Sequence, residues 1–231
     1  MLYLYIIIFS ILIGILRGGS LAHLTQISLK KIELILLACL MQAGLVFLGS
    51  RKVRFISDYG SYILIFSYIV LLLAVWHNKE LEGMNFIALG IILNFIVIVA
   101  NGGHMPVLLS SLHKVGLDDF ALSLKEGTYV THTLINEKTL FRFLGDVFLL
   151  PPPFPGPSVV SGGDFLMFYG VFSLIQKAMI KKEKDSEVDT RTYKKSRNHR
   201  LKRRLDKSRI GGKSSSSTSH SSAGDKLKAL G

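Results

Sequence analysis

Five stretches of the chain are almost entirely apolar, and polar segments separate them. A helix rises about 1.5 Å per residue and the hydrocarbon core of a bilayer is about 30 Å thick, so about 20 residues cross it. The stretches lack the polar face that a helix on the surface of a soluble protein carries. The pattern predicts transmembrane helices near residues 2–16, 32–48, 61–76, 84–100 and 163–180.

The alternative is a set of buried helices in a soluble protein, because apolar stretches this short also occur in soluble cores. A chain of 231 residues is too short to cover five such helices on every side. We therefore predict an all-α integral membrane protein with about five transmembrane helices. Its membrane domain would occupy residues 1–180 and include one long extracytoplasmic loop at 101–162, and a disordered basic tail would follow at 181–231.

The first apolar stretch has a second interpretation, as a signal peptide cleaved near Ser20-Leu21-Ala22. A signal peptide usually carries positive charge before its apolar part. Here no Lys or Arg precedes that part, and Arg17 follows it. An uncleaved helix is therefore the favoured interpretation.

Most of the net charge of +12 lies in the C-terminal part of the chain. Residues 177–231 hold 17 of the 28 Lys and Arg and 6 of the 16 acidic residues, a net charge of +11. Lys and Arg near span ends favour the cytoplasmic side, so five spans place the C-terminus in the cytoplasm and the N-terminus outside. The connection with Arg51, Lys52 and Arg54 would then face outward, against this rule.

The basic tail also predicts a partner, because Lys and Arg beside a span each gain about 1 kcal/mol from anionic lipid head groups. Nucleic acid would use the same charges, but tethering to the bilayer needs no further assumption and is preferred. Enforcement of topology explains the same charges at least as well.

Several chemistries are excluded by residue spacing. Cys39 is the single cysteine, so a disulfide framework and a cysteine metal cluster are impossible within the chain. No two of the seven histidines lie three or four residues apart, and the chain has no Gly-x-Ser-x-Gly and no dinucleotide-binding glycine fingerprint. We therefore expect no metal and no cofactor.

Two polar residues lie inside the predicted spans, Gln42 and Asn94. An amide in hydrocarbon is costly unless it is paired, so both side chains should point into the bundle. Hydrogen bonds between helices are the favoured role, and a polar pathway is the alternative.

The long loop contains three local patterns. Residues 106–116 suit a short helix on the membrane surface. Residues 129–135 alternate partly like a strand and could pair with 140–144 as a hairpin. The prolines of 151–157 predict a stiff, extended connector.

Glycine-containing motifs lie at several predicted span ends. Paired glycines suit a helix end or an anion-binding nest, and Ser161 or Asp164 could cap the last helix. Because the topology puts these motifs on one side, we hypothesise one polar site lined by Asn101, His104, Asp146 and Asp164 and roofed by the proline connector. The alternative is three independent helix caps.

Four motifs in order give the chain a resemblance: Arg17-Gly18-Gly19-Ser20-Leu21, Asn101-Gly102-Gly103-x-Met105-Pro106, Phe143-Leu144-Gly145-Asp146-Val147 and Ser161-x-Gly163-Asp164. Over residues 1–180 the chain resembles an uncharacterised family of small bacterial multi-pass membrane proteins, catalogued as a domain of unknown function. The resemblance implies a protein of the bacterial cytoplasmic membrane. It implies no activity, ligand or catalytic residue.

Two hypotheses about function follow. The first is a non-enzymatic scaffold or binding protein, whose outer loop or inner tail engages a partner such as another protein. The second is a membrane-embedded enzyme or carrier that acts on a lipid-like or small anionic substrate at the outer surface. The first is preferred, because neither Asp146 nor Asp164 has a recognisable acid–base partner in the sequence.

Overall fold

The computed structural model describes residues 2–51, 53–127, 129–150 and 158–180, together with Tyr193 and Arg197. The predicted connector at 151–157 and nearly all of the predicted tail at 181–231 lie outside the described residues. The chain divides into two units, residues 1–181 and 182–231, and the first contains every element described below.

The unit of residues 1–181 is mostly helical, as predicted. Five long helices coincide with the apolar stretches: α1 (Leu2–Leu16), α3 (Ile32–Ser50), α4 (Arg54–His77), α5 (Met84–Ala100) and α8 (Gly162–Ile180). Between α1 and α3 lies the single-turn helix α2 (Leu21–Leu24). The segment from 101 to 161 contains α6 (Leu109–Lys114), α7 (Asp118–Lys125) and four short strands.

The long helices lie side by side, and each packs against the next in one series. α3 packs against α4, α4 against α5, α5 against α8, and α8 against α1. We call the end of the bundle where Asn101 and Ser161 lie the loop end, and the opposite end, where Lys30 and Asn78 lie, the tail end. The Asn78 side chain fixes the tail end by bonding both the N–H and the C=O of Lys30, at 2.8 and 2.7 Å.

The segment from 101 to 161 corrects the all-α prediction, because it forms two small sheets. β1 (Met105–Val107) pairs with β2 (His132–Leu134) in parallel, and β3 (Phe148–Leu150) pairs with β4 (Ser158–Val160) in antiparallel. We call the whole segment the loop layer. Its own apolar core includes Val107, Leu112 and Ala121.

The predicted hairpin between 129–135 and 140–144 is wrong. Residues Arg142–Leu144 form a short 3-10 helix instead of a strand. The cause is Asn101 at the end of α5, whose side chain bonds both the N–H and the C=O of Leu140 at 3.0 Å. These backbone groups are the ones that a hairpin partner would need, so β2 pairs with β1 instead.

Two of the described helices, α3 and α4, are long and apolar enough to cross a membrane. α1 and α5 are apolar but shorter, with 15 and 17 residues. α8 has 19 residues and carries Asp164 and Lys177. Length and composition alone are weak support, because core helices of soluble proteins meet the same criteria.

Several polar side chains are buried inside the bundle beside its apolar core, and many large apolar side chains are exposed on its outer surface. The buried polar residues of the long helices include Ser10, Ser67, Asn94 and Gln176. The exposed apolar residues occur on all five long helices and include Leu12, Leu16, Leu40, Phe47, Phe66, Leu73, Leu89, Ile92, Phe165 and Tyr169. So many exposed large apolar side chains are unusual for a water-soluble bundle.

Glycines bring α5 and α8 into backbone contact at two levels. A Cβ atom on Gly163 would lie 2.7 Å from the carbonyl oxygen of Gly90, and one on Gly170 would lie 2.7 Å from that of Gly83. Small residues at such crossings let helices approach closely and gain van der Waals contact. The two helices therefore run antiparallel at a distance that no larger side chain permits.

The contact between α5 and α8 predicts that a single methyl group added at Gly90 lowers the stability of the protein. Gly90→Ala places its Cβ against the Gly163 carbonyl oxygen and 2.6 Å from Met167 Cγ, so we expect a loss of about 1–3 kcal/mol in stability. Gly44→Ala is the matched control, since a Cβ there meets open space, and the change should be neutral or stabilise by up to about 1 kcal/mol. Thermal unfolding in detergent measures both. Equal melting temperatures would contradict the close approach.

Candidate functional site

A half-open cavity of about 170 Å³ lies at the loop end, between the bundle and the loop layer. Its apolar lining comes from Val46, Leu64, Ile98 and Met105. Its polar lining comes from seven residues of α3, α4, α5, α8 and the loop layer: Gln42, Tyr68, Asn94, Thr131, His132, Asp146 and Asp164. Among the described residues that line it, none is Lys or Arg.

Asp164 reaches the cavity from the first turn of α8. The sequence Ser161-x-x-Asp164 forms a capping box, in which each side chain accepts from the other residue's backbone N–H. Asp164 N donates to Ser161 Oγ at 3.0 Å, and Ser161 N donates to Asp164 Oδ2 at 2.9 Å. The box fixes the carboxylate and satisfies two amides that the start of a helix leaves free.

Asn94 on α5 joins this box. Its Nδ2 donates to Asp164 Oδ1 at 3.1 Å, and its Oδ1 lies 2.8 Å from Ser161 Oγ. Ser161 Oγ also lies 2.9 Å from Asp164 Oδ2, and its single proton serves one of the two oxygens. Tyr3 of α1 donates to Asp164 Oδ1 at 3.3 Å. The carboxylate of Asp164 is thus surrounded by donors from three helices.

Asp146 enters the cavity from the loop layer. Its backbone is held on both sides, because its N–H donates to Pro106 O at 2.8 Å and its C=O accepts from Leu108 N at 3.1 Å. Its Oδ2 lies 3.4 Å from His132 Nε2. The side chain is nearly buried, and this burial raises the pKa of Asp146 above its ordinary value, although His132 opposes the shift.

His132 lies between two oxygen atoms. Its Nδ1 is 2.8 Å from Thr131 Oγ1, and its Nε2 faces Asp146. The rings of Phe120 and Tyr129 contact the imidazole edge-on, with centroids 5.8 and 5.6 Å away. When Nε2 carries the proton, Nδ1 can accept from the threonine hydroxyl.

Gln42 also bonds across helices. Its Nε2 donates to Ser67 Oγ on α4 at 3.1 Å, and Ser67 Oγ donates to Leu64 O at 2.7 Å. Both amides singled out within the predicted spans, Gln42 and Asn94, line the cavity while they connect neighbouring helices.

The four residues of the hypothesised site separate into two pairs. Asp146 and Asp164 line the cavity together. Asn101 and His104 are not among its described lining residues: Asn101 holds Leu140, and His104 Nε2 lies 3.4 Å from Ser61 Oγ. Sequence reasoning missed Tyr68, Thr131 and His132. The sequence showed His132 only as one of seven histidines. Its partner Asp146 is distant in the sequence, and the pairing of β1 with β2 places the two side chains together.

A larger cavity of about 430 Å³ lies at the tail end. Its charged lining residues include Glu80, Glu82 and Lys177. Glu80 and the nearby Lys30, whose charged atoms lie 4.0 Å apart, are both largely exposed to solvent. Water screens such charges and weakens their interactions, so the smaller cavity, with its buried polar groups, is the stronger candidate site. No group of three or more His, Cys, Asp or Glu suited to a metal occurs within the described residues.

The raised pKa of Asp146 predicts a dependence of stability on pH. Between its ordinary value of 3.8 and the raised value, the folded protein holds a proton that the unfolded chain has released. This contribution to stability is present in acid and is lost as pH rises through the raised pKa. Asp146→Asn should therefore raise the melting temperature relative to wild type at neutral pH, with a difference that shrinks toward pH 4.

Asp119→Asn is the control for this prediction, because Asp119 is exposed on α7. Its melting temperature should follow that of the wild type across the same range of pH. A larger stabilisation of Asp146→Asn in acid than at neutral pH would reverse the sign and contradict the role of burial.

The sequence has relatives without a known activity. Over 107 residues it is 33% identical to an uncharacterised protein of Thermotoga maritima, which covers 46% of this chain and 58% of that protein. The chain thus matches less than two thirds of the relative's length. No solved structure matches it. Residues 26–176 match DUF5317, a family of unknown function, so the Arg17-Gly18-Gly19 motif lies outside the match. The chain belongs to the DUF5317 family, and membership in this family indicates no biochemical activity.

Proposed function

We propose that this chain is a five-pass protein of the bacterial cytoplasmic membrane that binds a small cationic ligand in the cavity at the loop end. The observation that carries the ligand class is the lining, with two carboxylates and no described Lys or Arg. A cation bound there would interact favourably with both acids, whereas an anion would be repelled by them. The charge of the lining therefore disfavours the small anionic substrates of the alternative hypothesis at this cavity.

The two carboxylates have different roles in this proposal. Asp164 already accepts from Tyr3 Oη, Asn94 Nδ2 and Ser161 N, and Ser161 Oγ also lies 2.9 Å away. It therefore contributes its charge and holds the wall of the cavity. Asp146 has His132 as its described side-chain partner, so it retains acceptor capacity for a ligand. Asp146 is therefore the residue that would hydrogen-bond the ligand.

Five membrane crossings are supported by the surface of the bundle. The shorter α1 and α5 and the more polar α8 pack in one series with α3 and α4, so they would occupy the same depth as those two helices. Their outward side chains are apolar too. Monomeric soluble proteins rarely expose apolar patches larger than a few hundred Å². A bilayer removes this surface from water, while the polar residues bond to each other inside.

The orientation and the tail belong to the same proposal. The excess of Lys and Arg after α8 favours a cytoplasmic C-terminus, which puts the N-terminus and the loop layer outside. The same charges would hold the tail against anionic lipid head groups. A protein partner of the loop layer or the tail is compatible with this arrangement.

The alignment of Thr131, His132 and Asp146 favours a second candidate function, catalysis of an acyl transfer. A hydroxyl hydrogen-bonded to one nitrogen of an imidazole, with a carboxylate at the other nitrogen, is the arrangement of a nucleophile, its base and the group that orients the base. His132 can accept the proton of Thr131 in this geometry. The binding function is preferred because it needs only the charge and shape of the cavity.

The first prediction from this proposal concerns topology. A reporter that is active only in the cytoplasm should give signal when it is fused to the C-terminus. In a Cys39→Ser background, Ser123→Cys and Thr133→Cys should react with an impermeant thiol reagent in intact cells. Ser28→Cys, at the tail end, is the control and should react only after permeabilisation. A silent reporter together with unlabelled cysteines in the loop layer would overturn the orientation.

The second concerns the ligand. Ethylamine should raise the melting temperature of the protein in detergent at neutral pH, and propionate should not. Asp146→Asn should remove the effect of ethylamine, because the ammonium loses its carboxylate partner, whereas Asp119→Asn should retain it. An equal response to propionate, or a full response of Asp146→Asn, would refute cation binding. Labelling by a fluorophosphonate that Thr131→Val abolishes would establish the second candidate.

The third concerns the tail. A peptide of residues 189–210 should bind vesicles that contain anionic lipid and should be released as salt is added, because ions screen the charges within about 8 Å at physiological ionic strength. The control is the same peptide with Gln in place of each Lys and Arg, which should not bind. Binding that survives high salt, or that is equal on neutral vesicles, would contradict the electrostatic account.

A further inference from the structure

We propose that the cavity receives the primary ammonium head group of a single-chain amphiphile, which enters sideways from the outer leaflet and leaves its hydrocarbon chain along α3. This inference rests on the proposed function, because it takes the cavity to bind a cation. It adds the kind of molecule that carries the cation and the route by which it arrives.

The size of the cavity limits what can enter it. Its volume of about 170 Å³ corresponds to about six water molecules at roughly 30 Å³ each. Pockets that enclose drug-sized ligands occupy about 300–1,000 Å³. A head group of a few heavy atoms fits, and the remainder of a longer molecule would have to stay outside.

One edge of the cavity lies on the exposed side of α3. Val46 lines the cavity and yet is 47% exposed, so it lies at the rim. It belongs to the apolar span α3, one helical turn before the end of that helix at Ser50. The opening is therefore at the depth where a bilayer passes from hydrocarbon to head groups, which is where an amphiphile places its polar end.

The packing order of the helices explains why this side is open. α3 packs closely against α4, while Asp164, on the opposite wall of the cavity, belongs to α8. Between these two walls the series runs through α4 and α5. The four helices α3, α4, α5 and α8 form an arc around the cavity. The helix at one end of this arc is α3.

The outer face of α3 offers a place for a hydrocarbon chain. Cys39, Ala43 and Val46 are exposed and lie at spacings of four and three residues, so they form one stripe of small side chains along the helix. The larger exposed side chains of Leu40 and Phe47 follow them in the sequence and stand beside the stripe. A linear chain can lie in this shallow track with its head group at Val46.

Photo-crosslinking in zwitterionic proteoliposomes tests the inference. The probe is dodecylamine with a diazirine at the end of its chain. We expect adducts concentrated on residues 39–46 and reduced about tenfold or more by Asp146→Asn, since a hydrogen bond to a charged group is lost. Excess dodecylamine should suppress the adducts on wild-type protein, and excess dodecanoate should not. Asp119→Asn should label like the wild type.

A second pair of variants tests the route. Val46→Trp fills the rim and should reduce the adducts on residues 39–46. Phe47→Trp places the same indole group next to the rim and should label normally. Adducts spread evenly over the five helices, or unaffected by Val46→Trp, would overturn lateral entrance while a response to ethylamine keeps the proposed function. If ethylamine does not raise the melting temperature and the dodecylamine probe gives no adducts on residues 39–46, both the lateral entrance and the proposed function are overturned.

Discussion

The close approach of α5 and α8 is the constraint on which the rest of the structure depends. At Gly90 and Gly163 the two backbones are near enough that a side chain has no room, and Asn94 then lies directly over the start of α8. At that distance its amide can bond both Ser161 and Asp164. The polar contact and the glycine contact support each other, because wider spacing would leave the buried amide unpaired at a cost of about 1–3 kcal/mol.

This constraint decides what each carboxylate can do. Asp164 is held by the capping box and by Asn94, so its position follows from the geometry of the helices. Asp146 is held through its backbone by the loop layer, at Pro106 and Leu108. One wall of the cavity is thus part of the bundle, and the other belongs to a layer with a separate core. Binding between them would couple the packing of the layer to the occupancy of the cavity.

The sequence predicted the helices well, and two of the four residues hypothesised as a site, Asp146 and Asp164, line the cavity. Apolar stretches identified all five long helices because burial in either lipid or protein leaves the same signature of uncharged residues. The loop layer was harder, since three-residue strands carry almost no periodicity and Asn101 decides their pairing from a distant helix. The same limit hid His132, whose contact with Asp146 depends on the parallel register of β1 and β2. His104 was conspicuous in its motif, yet it bonds Ser61.

Under the proposed insertion into a bilayer, the exposed apolar surface of the bundle helps to explain why a cavity persists in so small a structure. In water, apolar residues would collapse into such a space, because burying them is favourable. In a bilayer the apolar residues gain nothing by moving inward, and association relies on close packing and hydrogen bonds instead. The amides of Gln42 and Asn94 are already paired at the walls, so they have no tendency to close the gap. The space between α3 and α8 can therefore remain open and polar. In the proposed function, a cation bound there would donate a hydrogen bond to Asp146.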